Sequence, residues 1–398
     1  MTVTQTRILW GIGSMLASAV VIAGCAGGSA APQSKGGDTE EGDAQSETDG
    51  SSASAVTPDP LADLWETMTP QEQAASLLIL HYPGVDPEAT AEFIADLQPG
   101  GIILMGDNIP DPESSLTSAT LEWQSIVAAN DQPPLIISID QEGGVVSRLN
   151  SDPAPGAQIL RDGDPDEVEA AFAARADLLA SLGINTNFGI VADTTEDEAS
   201  FIYSRVLGTS PETSAAAVTA AVMGEEGKVA STLKHFPGHG MTPSDSHEVI
   251  AACETSEEEW RHSAALPFEA GIAAGAPLVM MSHLSCPAVD ATPASMSPAW
   301  YRILREDLGF DGVIVTDDMS MLVATEDPDL QDPAHNAVRA LQAGATMVLS
   351  IGGNTEEEAS AYAHDLVEGI AAAITDGTLD PATLRDAGIR ALAFREGL

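Results

Sequence analysis

Residues 229–240 read Val-Ala-Ser-Thr-Leu-Lys-His-Phe-Pro-Gly-His-Gly. A short apolar, β-rich run, Val229–Leu233, stops at Lys234 and His235 and turns through Pro237 and Gly238. A continuous apolar run of this length is the pattern of a strand buried on both faces. The pattern recurs at Leu77–Leu80, Gly101–Met105, Leu135–Ile139, Ile184–Val191, Leu278–Ser282, Gly312–Thr316 and Thr346–Ile351, giving eight candidate strands. Ala-rich amphipathic stretches separate them. Asp86-Pro87, Asp164-Pro165 and Ser297-Pro298 pair an N-cap with a first-turn proline. Gly183 and Gly309 suit the position just past a helix C-terminus. Val168, Phe172, Leu178, Leu179 and Leu182 share one side of the helix after Pro165, and a last helix falls near residues 381–395. Eight alternating units predict an α/β fold, a (β/α)8 TIM-type barrel at residues 61–398. An open doubly wound sheet is the alternative, but no Gly-x-Gly-x-x-Gly follows any strand to support its dinucleotide-binding form. The long connections after the fourth and fifth strands are the expected functional loops.

A barrel carries its chemistry at the C-terminal ends of its strands. Strand three ends in Asp140-Gln141-Glu142-Gly143-Gly144, and strand four near Asp193 with Arg205 in the loop beyond. Strand five ends in Lys234-His235, strand six in Ser282-His283 and strand seven in Thr316-Asp317-Asp318. One polar strand end reads as a cap; five on one rim read as a site. Lys234 is one of only three lysines, with Lys35 and Lys228. Its structural reading is a salt bridge to a neighbouring strand-end carboxylate. Asp317 should face the barrel mouth from a rigid element, which suits a nucleophile or an electrostatic stabiliser. Asp318 points the other way by alternation and suits a helix cap. Asp245-Ser246-His247 sets a carboxylate beside an imidazole, either a proton-transfer dyad or a solvated loop pair. His235, His239 and His247 lie close enough in sequence to suggest a metal site, but the spacing is not that of zinc sites and no cysteine joins them, so no metal and no cofactor are expected.

The 398 residues carry 61 Asp+Glu against 15 Lys+Arg, a net charge of −46. That excludes sequence-independent nucleic-acid binding and electrostatic adhesion to anionic bilayers. With 44% hydrophobic residues the chain is not a disordered one. Residues 1–25 read as an export signal: Arg7, an apolar run from Ile8 to Gly24, then Cys25 after small residues, the pattern of a lipidated cysteine. An uncleaved membrane anchor is the alternative. Either places residues 61–398 outside the cytoplasm, attached to the membrane through Cys25 in the first case. Residues 26–60 read as a disordered acidic Gly/Ser tether.

The motif from Lys234 to Gly240 followed by Asp245-Ser246-His247 resembles the β-N-acetylglucosaminidases of glycoside hydrolase family 3. So do Asp140-Gln141-Glu142-Gly143-Gly144 with Arg148, Ser204-Arg205, and Val315 to Met321. The resemblance implies a (β/α)8-type barrel and a retaining glycosidase acting on terminal N-acetyl-β-glucosaminides, including peptidoglycan fragments. It implies Asp317 as nucleophile, His247 as acid/base with Asp245 supporting it, and Asp140, Arg148, Arg205, Lys234 and His235 as ligands of the sugar hydroxyls. Val145, Met241 and Thr346 depart from the family pattern. No C-terminal α/β sandwich domain is expected, nor an obligate protein partner, so barrel loops should complete the site. A phosphorylase using the same groups, a non-catalytic sugar-binding lipoprotein and a Schiff-base lyase using Lys234 are the alternatives. Cys253 and Cys286 follow strands five and six on the same rim and are candidates for a disulfide holding the acid/base loop.

Overall fold

The computed structural model describes residues 59–244, 249–325 and 327–398. The export signal, Cys25, nearly all of the tether, and Asp245 and His247 lie outside the described residues. Eight strands form the predicted barrel: β1 (Leu78–Leu80), β2 (Gly101–Leu104), β3 (Ile136–Ile139), β4 (Thr186–Val191), β5 (Ala230–Phe236), β6 (Leu278–Met281), β7 (Val313–Thr316) and β8 (Val348–Ser350). They pair in parallel and in chain order, with β8 returning beside β1. Nearly every strand residue is buried, because side chains fill the interior and helices cover the outside. The helices Pro165–Ser181, Pro211–Glu225 and Ala265–Ala273 pack on one another in series around β4 to β6.

The seam between β7 and β8 is closed locally rather than by a full ladder. Val315 bridges Met347, and the amides of Thr346 and Met347 donate to the carbonyl of Ile314 at 2.8 and 3.1 Å. Thr346 Oγ1 accepts from the Ile314 amide (3.1 Å) and from Arg305 Nη2 (3.0 Å). The departure noted at Thr346 therefore falls on a closure point of the barrel.

Three expectations are corrected. The fold begins before residue 61: Asp59 Oδ1 accepts from the Leu61 amide and caps the helix Pro60–Thr67, with proline in the first turn. This is the same Asp-Pro signature read at Asp86-Pro87 and Asp164-Pro165, hidden here by the polar tether before it. Strand five does not stop at Leu233, because Lys234 pairs in register with Val191 and Phe236 with Met281. A charge stays in the sheet when carboxylates neutralise it. On the helix after Pro165, Arg175 is fully buried, which an apolar stripe would not show. The disulfide is present: Cys253 and Cys286 are joined. Beside it the Cys253 amide donates to the Ser285 carbonyl (2.8 Å) and the Ser285 amide to the Ala251 carbonyl (3.0 Å). The loops after β5 and β6 are thus tied covalently and by backbone bonds.

Replacing Thr346 with Val keeps the shape but leaves the Ile314 amide and an Arg305 donor unpaired. An unmade buried hydrogen bond costs about 1–3 kcal/mol. Thermal melts should show a lower Tm for T346V and recovery in T346S. Equal Tm values for wild type and T346V would mean that the seam does not depend on this hydroxyl.

Candidate active site

The C-terminal rim encloses a cavity of about 260 Å³. Asp140, Arg148, Arg205, Lys234, His235 and Asp317 all line it, so the structure brings together every described residue assigned to the site from sequence. Met105, Met280, Met321, Leu349 and Ile351 supply an apolar wall. One side of the cavity therefore offers charge and the other aliphatic and thioether surface.

The charged side starts where β3 ends. Gly143 and Gly144 take φ values of +81° and +72°, which lets the chain reverse between Glu142 and Val146. The Glu142 amide donates to the Val146 carbonyl (3.1 Å), closing a hairpin that returns Arg148 to Asp140. Arg148 Nη2 lies 3.3 Å from Asp140 Oδ2. Lys234, 2% exposed, sits between two carboxylates, with Nζ 2.8 Å from Asp140 Oδ1 and 2.7 Å from Glu142 Oε1. Arg205 closes the cluster: Nη2 is 2.7 Å from Glu142 Oε1 and Nε 3.0 Å from Oε2, a bidentate pair. Its loop is anchored by Ile202 and Val206, which pack on Val191.

Burial alone would raise the Asp140 carboxyl, but Lys234 and Arg148 outweigh it and hold it at about 2. Burial likewise opposes Lys234 and Arg205 at Glu142, and the cations again hold it at about 2. Lys234 is raised in turn, because Asp140 and Glu142 overcome the cost of burying its ammonium. The salt-bridge reading of Lys234 and the sugar-site reading thus describe the same group.

His235 Nδ1 lies 2.7 Å from Asp193 Oδ2, and its Nε2 lies 3.2 Å from Arg205 Nη2. Arginine only donates, so Nε2 accepts and Nδ1 carries the proton. Burial and the adjacent Arg205 push His235 well below its ordinary value, in keeping with a neutral ring. Asp193 is buried, which raises it to about 6 although His239 and two backbone amides pull the other way. Its carboxylate also accepts from the His239 amide. His239 is 1% exposed and lies edge-on to Phe201 with centroids 4.5 Å apart.

Asp317 leaves β7 at the cavity with its amide on the Met281 carbonyl (2.7 Å). Its Oδ1 accepts from the Asp318 amide (2.8 Å). Burial would raise this carboxyl, but the Asp318 amide and the charge of Lys234 help to hold it below its ordinary value. Asp318 accepts at its carboxylate from the Ser320 amide (2.9 Å) and the Ile351 amide (2.8 Å), tying β7 to the end of β8 as a cap would, but it does not turn away from the mouth, since it also lines the cavity. His283 is held by Ser295 Oγ (2.7 Å) and the Asp318 carbonyl (2.9 Å).

Sequence reasoning placed Glu142 and Asp193 on the polar rim but gave neither of them, nor His239, a role in the site. Glu142 shares the strand-end motif with Asp140, and Asp193 ends β4, so position on the rim was the available signal. Their partners, far away in sequence, were not visible. Val145, Met241 and Thr346 are not among the described residues that line the cavity. Among the described residues no three His, Cys, Asp or Glu side chains group as a metal site.

Barrel and rim define a (β/α)8 protein with a charged pocket at the C-terminal ends of its strands, and comparison with known proteins gives the family. A profile for the glycosyl hydrolase family 3 N terminal domain matches residues 71–393, and the chain belongs to that family. A protein named β-hexosaminidase from Stenotrophomonas maltophilia is 39% identical over 199 residues, covering 47% of this chain and 59% of that protein. The chain thus spans under two thirds of that relative's length. A β-hexosaminidase of Methylococcus capsulatus is 32% identical over 266 residues, covering 65% of this chain and 77% of the relative. The structure of a glycoside hydrolase family 3 β-N-acetylglucosaminidase from Paenibacillus superposes with a TM-score of 0.76 at 31% identity, covering 83% of this chain and 63% of that one.

Replacing Lys234 with Met leaves two buried carboxylates facing each other. Breaking a buried pair in this way costs about 3–5 kcal/mol. The carboxylates titrate near 2 in the fold and near 4 when unfolded, so their contribution is present above about pH 4 and lost as pH falls toward 2. The Tm gap between wild type and K234M should therefore be widest at neutral pH and narrow below about pH 4. A gap independent of pH would count against the ion-pair account.

Proposed function

We propose that the protein is a retaining glycoside hydrolase, a β-N-acetylhexosaminidase, that releases non-reducing terminal N-acetyl-β-D-glucosamine. The observation that carries this reading is Asp317, an ionised carboxylate on a rigid strand end at one wall of a sugar-sized cavity. Around it stand three cations, Arg148, Arg205 and Lys234, against Asp140 and Glu142. With Asp317 the cluster is neutral, so nothing in it favours a charged glycone. Fixed carboxylate and guanidinium groups instead suit a ring of equatorial hydroxyls, which both donate and accept. The apolar wall suits the non-polar face of the sugar and its acetyl methyl.

In this reading Asp317 attacks the anomeric carbon as the bond to the leaving oxygen breaks, giving a covalent glycosyl-aspartate. His247 protonates the leaving oxygen, then takes the proton of a water that releases the sugar. Two inversions retain the β configuration. Asp245 orients His247. An imidazole with an ordinary value near 6.5 changes role readily at neutral pH. Natural substrates in this reading include peptidoglycan fragments. Lipid on Cys25 holds the enzyme at the membrane outside the cytoplasm, and the tether gives the barrel reach toward the wall.

Aryl N-acetyl-β-glucosaminide hydrolysis, compared with the plain glucoside, is the direct test. Wild type should prefer the acetamido sugar. Asp317→Ala should lower turnover by about 10³-fold or more with the melt unchanged, about 4 kcal/mol of barrier. Activity within tenfold of wild type in D317A would remove the assignment. His247→Ala should lose more on substrates with poor leaving groups than on activated aryl glycosides. Equal losses on both would deny it the acid role.

A further inference from the structure

Behind the sugar-binding hairpin lies a buried polar network that the proposed chemistry does not use. Its members are Glu225 at the end of the helix Pro211–Glu225, Asn187 of β4, Gln141, and the pair Asp152–Arg175. Glu225, Asn187, Gln141 and Arg175 are 0% exposed. Asn187 Nδ2 donates to Glu225 Oε1 (2.6 Å) and to the Gln141 carbonyl (3.1 Å), and Asn187 Oδ1 accepts from the Gln141 amide (3.1 Å). One side-chain amide thus holds both backbone groups of the residue between Asp140 and Glu142. Gln141 extends the grip: Oε1 accepts from the amides of Arg148 (2.8 Å) and Leu149 (3.0 Å), and Nε2 donates to Asp152 Oδ2 (3.0 Å). Arg175 Nε donates to the same Asp152 oxygen at 2.8 Å.

The backbone makes room for this network. A Cβ on Gly189 would stand 2.2 Å from Asn187 Nδ2, and one on Gly143 would stand 2.2 Å from Arg175 Nη2. Two of its atoms, Glu225 Oε2 and Arg175 Nη1, are buried without a hydrogen-bond partner. Asp152 already neutralises Arg175, so an ionised Glu225 would add a second anion to one cation in a fully buried site. A neutral acid keeps the Asn187 bond without that penalty.

We propose that Glu225 is a positioning residue of the sugar site, acting as a neutral acid through Asn187 and Gln141 on Asp140, Glu142 and Arg148. The inference rests on the sugar-binding reading of that hairpin. Burial raises the Glu225 carboxyl to about 8, against the pull of Asn187 and Arg175. Arg175, from the helix Pro165–Ser181, is the charged group acting on it, with Asp152 of the loop after β3 behind; β4 contributes only the Asn187 amide.

A folded value above the ordinary one means that Glu225 contributes full stability below about pH 4.5. That contribution is lost as pH rises through about 8, where the folded group ionises. Glu225→Gln preserves the acceptor for Asn187 and does not titrate. KM for an aryl N-acetyl-β-glucosaminide should rise in wild type by about tenfold between pH 7 and pH 9.5, and stay flat in E225Q. The two proteins should agree within about twofold at pH 7. A KM–pH profile of E225Q that overlays wild type would overturn the proposal, whereas a merely structural residue would move the melt and leave that profile alone. Melts need no substrate and separate the two readings: the Tm difference should shift in favour of E225Q between pH 5 and pH 8, and a constant difference would overturn the neutral-acid assignment. Wild type inactive on every N-acetylglucosaminide would instead defeat the hydrolase reading and leave the melt to decide Glu225.

Discussion

The site depends on one buried cation. Lys234 is the one lysine or arginine within the eight strands of a buried parallel barrel, and an ammonium there is tolerable only if it is neutralised in place. Asp140 and Glu142 meet that condition at 2.8 and 2.7 Å. Neither carboxylate can then move without stranding the lysine. Arg205 is fixed by Glu142 in turn, and Arg148 faces Asp140. The positions of four rim residues therefore follow from the need to bury one charge. The same constraint explains why β5 runs on to Phe236 instead of ending at its last apolar residue.

A rigid charge cluster suits the neutral sugar of the proposed function. Hydroxyls bind weakly one at a time, so groups already held in place avoid the entropy of ordering them at each encounter. The hairpin from Asp140 to Arg148 provides this through its glycine turn and through Gln141, which holds the backbone of Arg148 and Leu149. His235 is held from both sides by Asp193 and Arg205, which also fixes its tautomer. Asp317 differs: its acceptor atoms meet one backbone amide and the cavity, which leaves a lone pair for chemistry.

Most of the architecture was legible because a parallel barrel writes its strands as largely apolar runs and several of the helix starts are Asp-Pro or Ser-Pro. The rim was legible because polar residues stood out at the ends of those runs. What escaped was long-range pairing. Nothing local says that Glu142 faces both Lys234 and Arg205, or that Asp193 serves His235 and His239. Arg175 escaped for the opposite reason. It sits within an apolar helix face and is buried by Asp152 and the Pro155 carbonyl, contacts set by a loop that carries no pattern. The first strand boundary and the start of the fold shifted by a residue or two, where capping rather than hydropathy decides the edge.

The charge of the chain takes on a second meaning in this light. Residues 61–398 contain 13 basic residues against 54 acidic ones. Lys228, Arg261, Arg385 and Arg390 pair with surface carboxylates, while others are spent inside. Arg148, Arg205 and Lys234 line the cavity, and Arg175 is the hub beneath it. Arg161 donates to the carbonyls of Tyr203 and Val206 and stacks on the Tyr203 ring, steadying the loop that carries Arg205. Arg305 reaches the carbonyls of Phe310 and Gly312 and the seam residue Thr346, and Arg395 reaches those of Pro133 and Pro134. A guanidinium supplies five donors in a fixed plane, so a single arginine can satisfy several buried carbonyls that no neutral side chain would reach together. The scarcity of bases is therefore a property of the solvent face, while the interior keeps those that close the barrel and set the site.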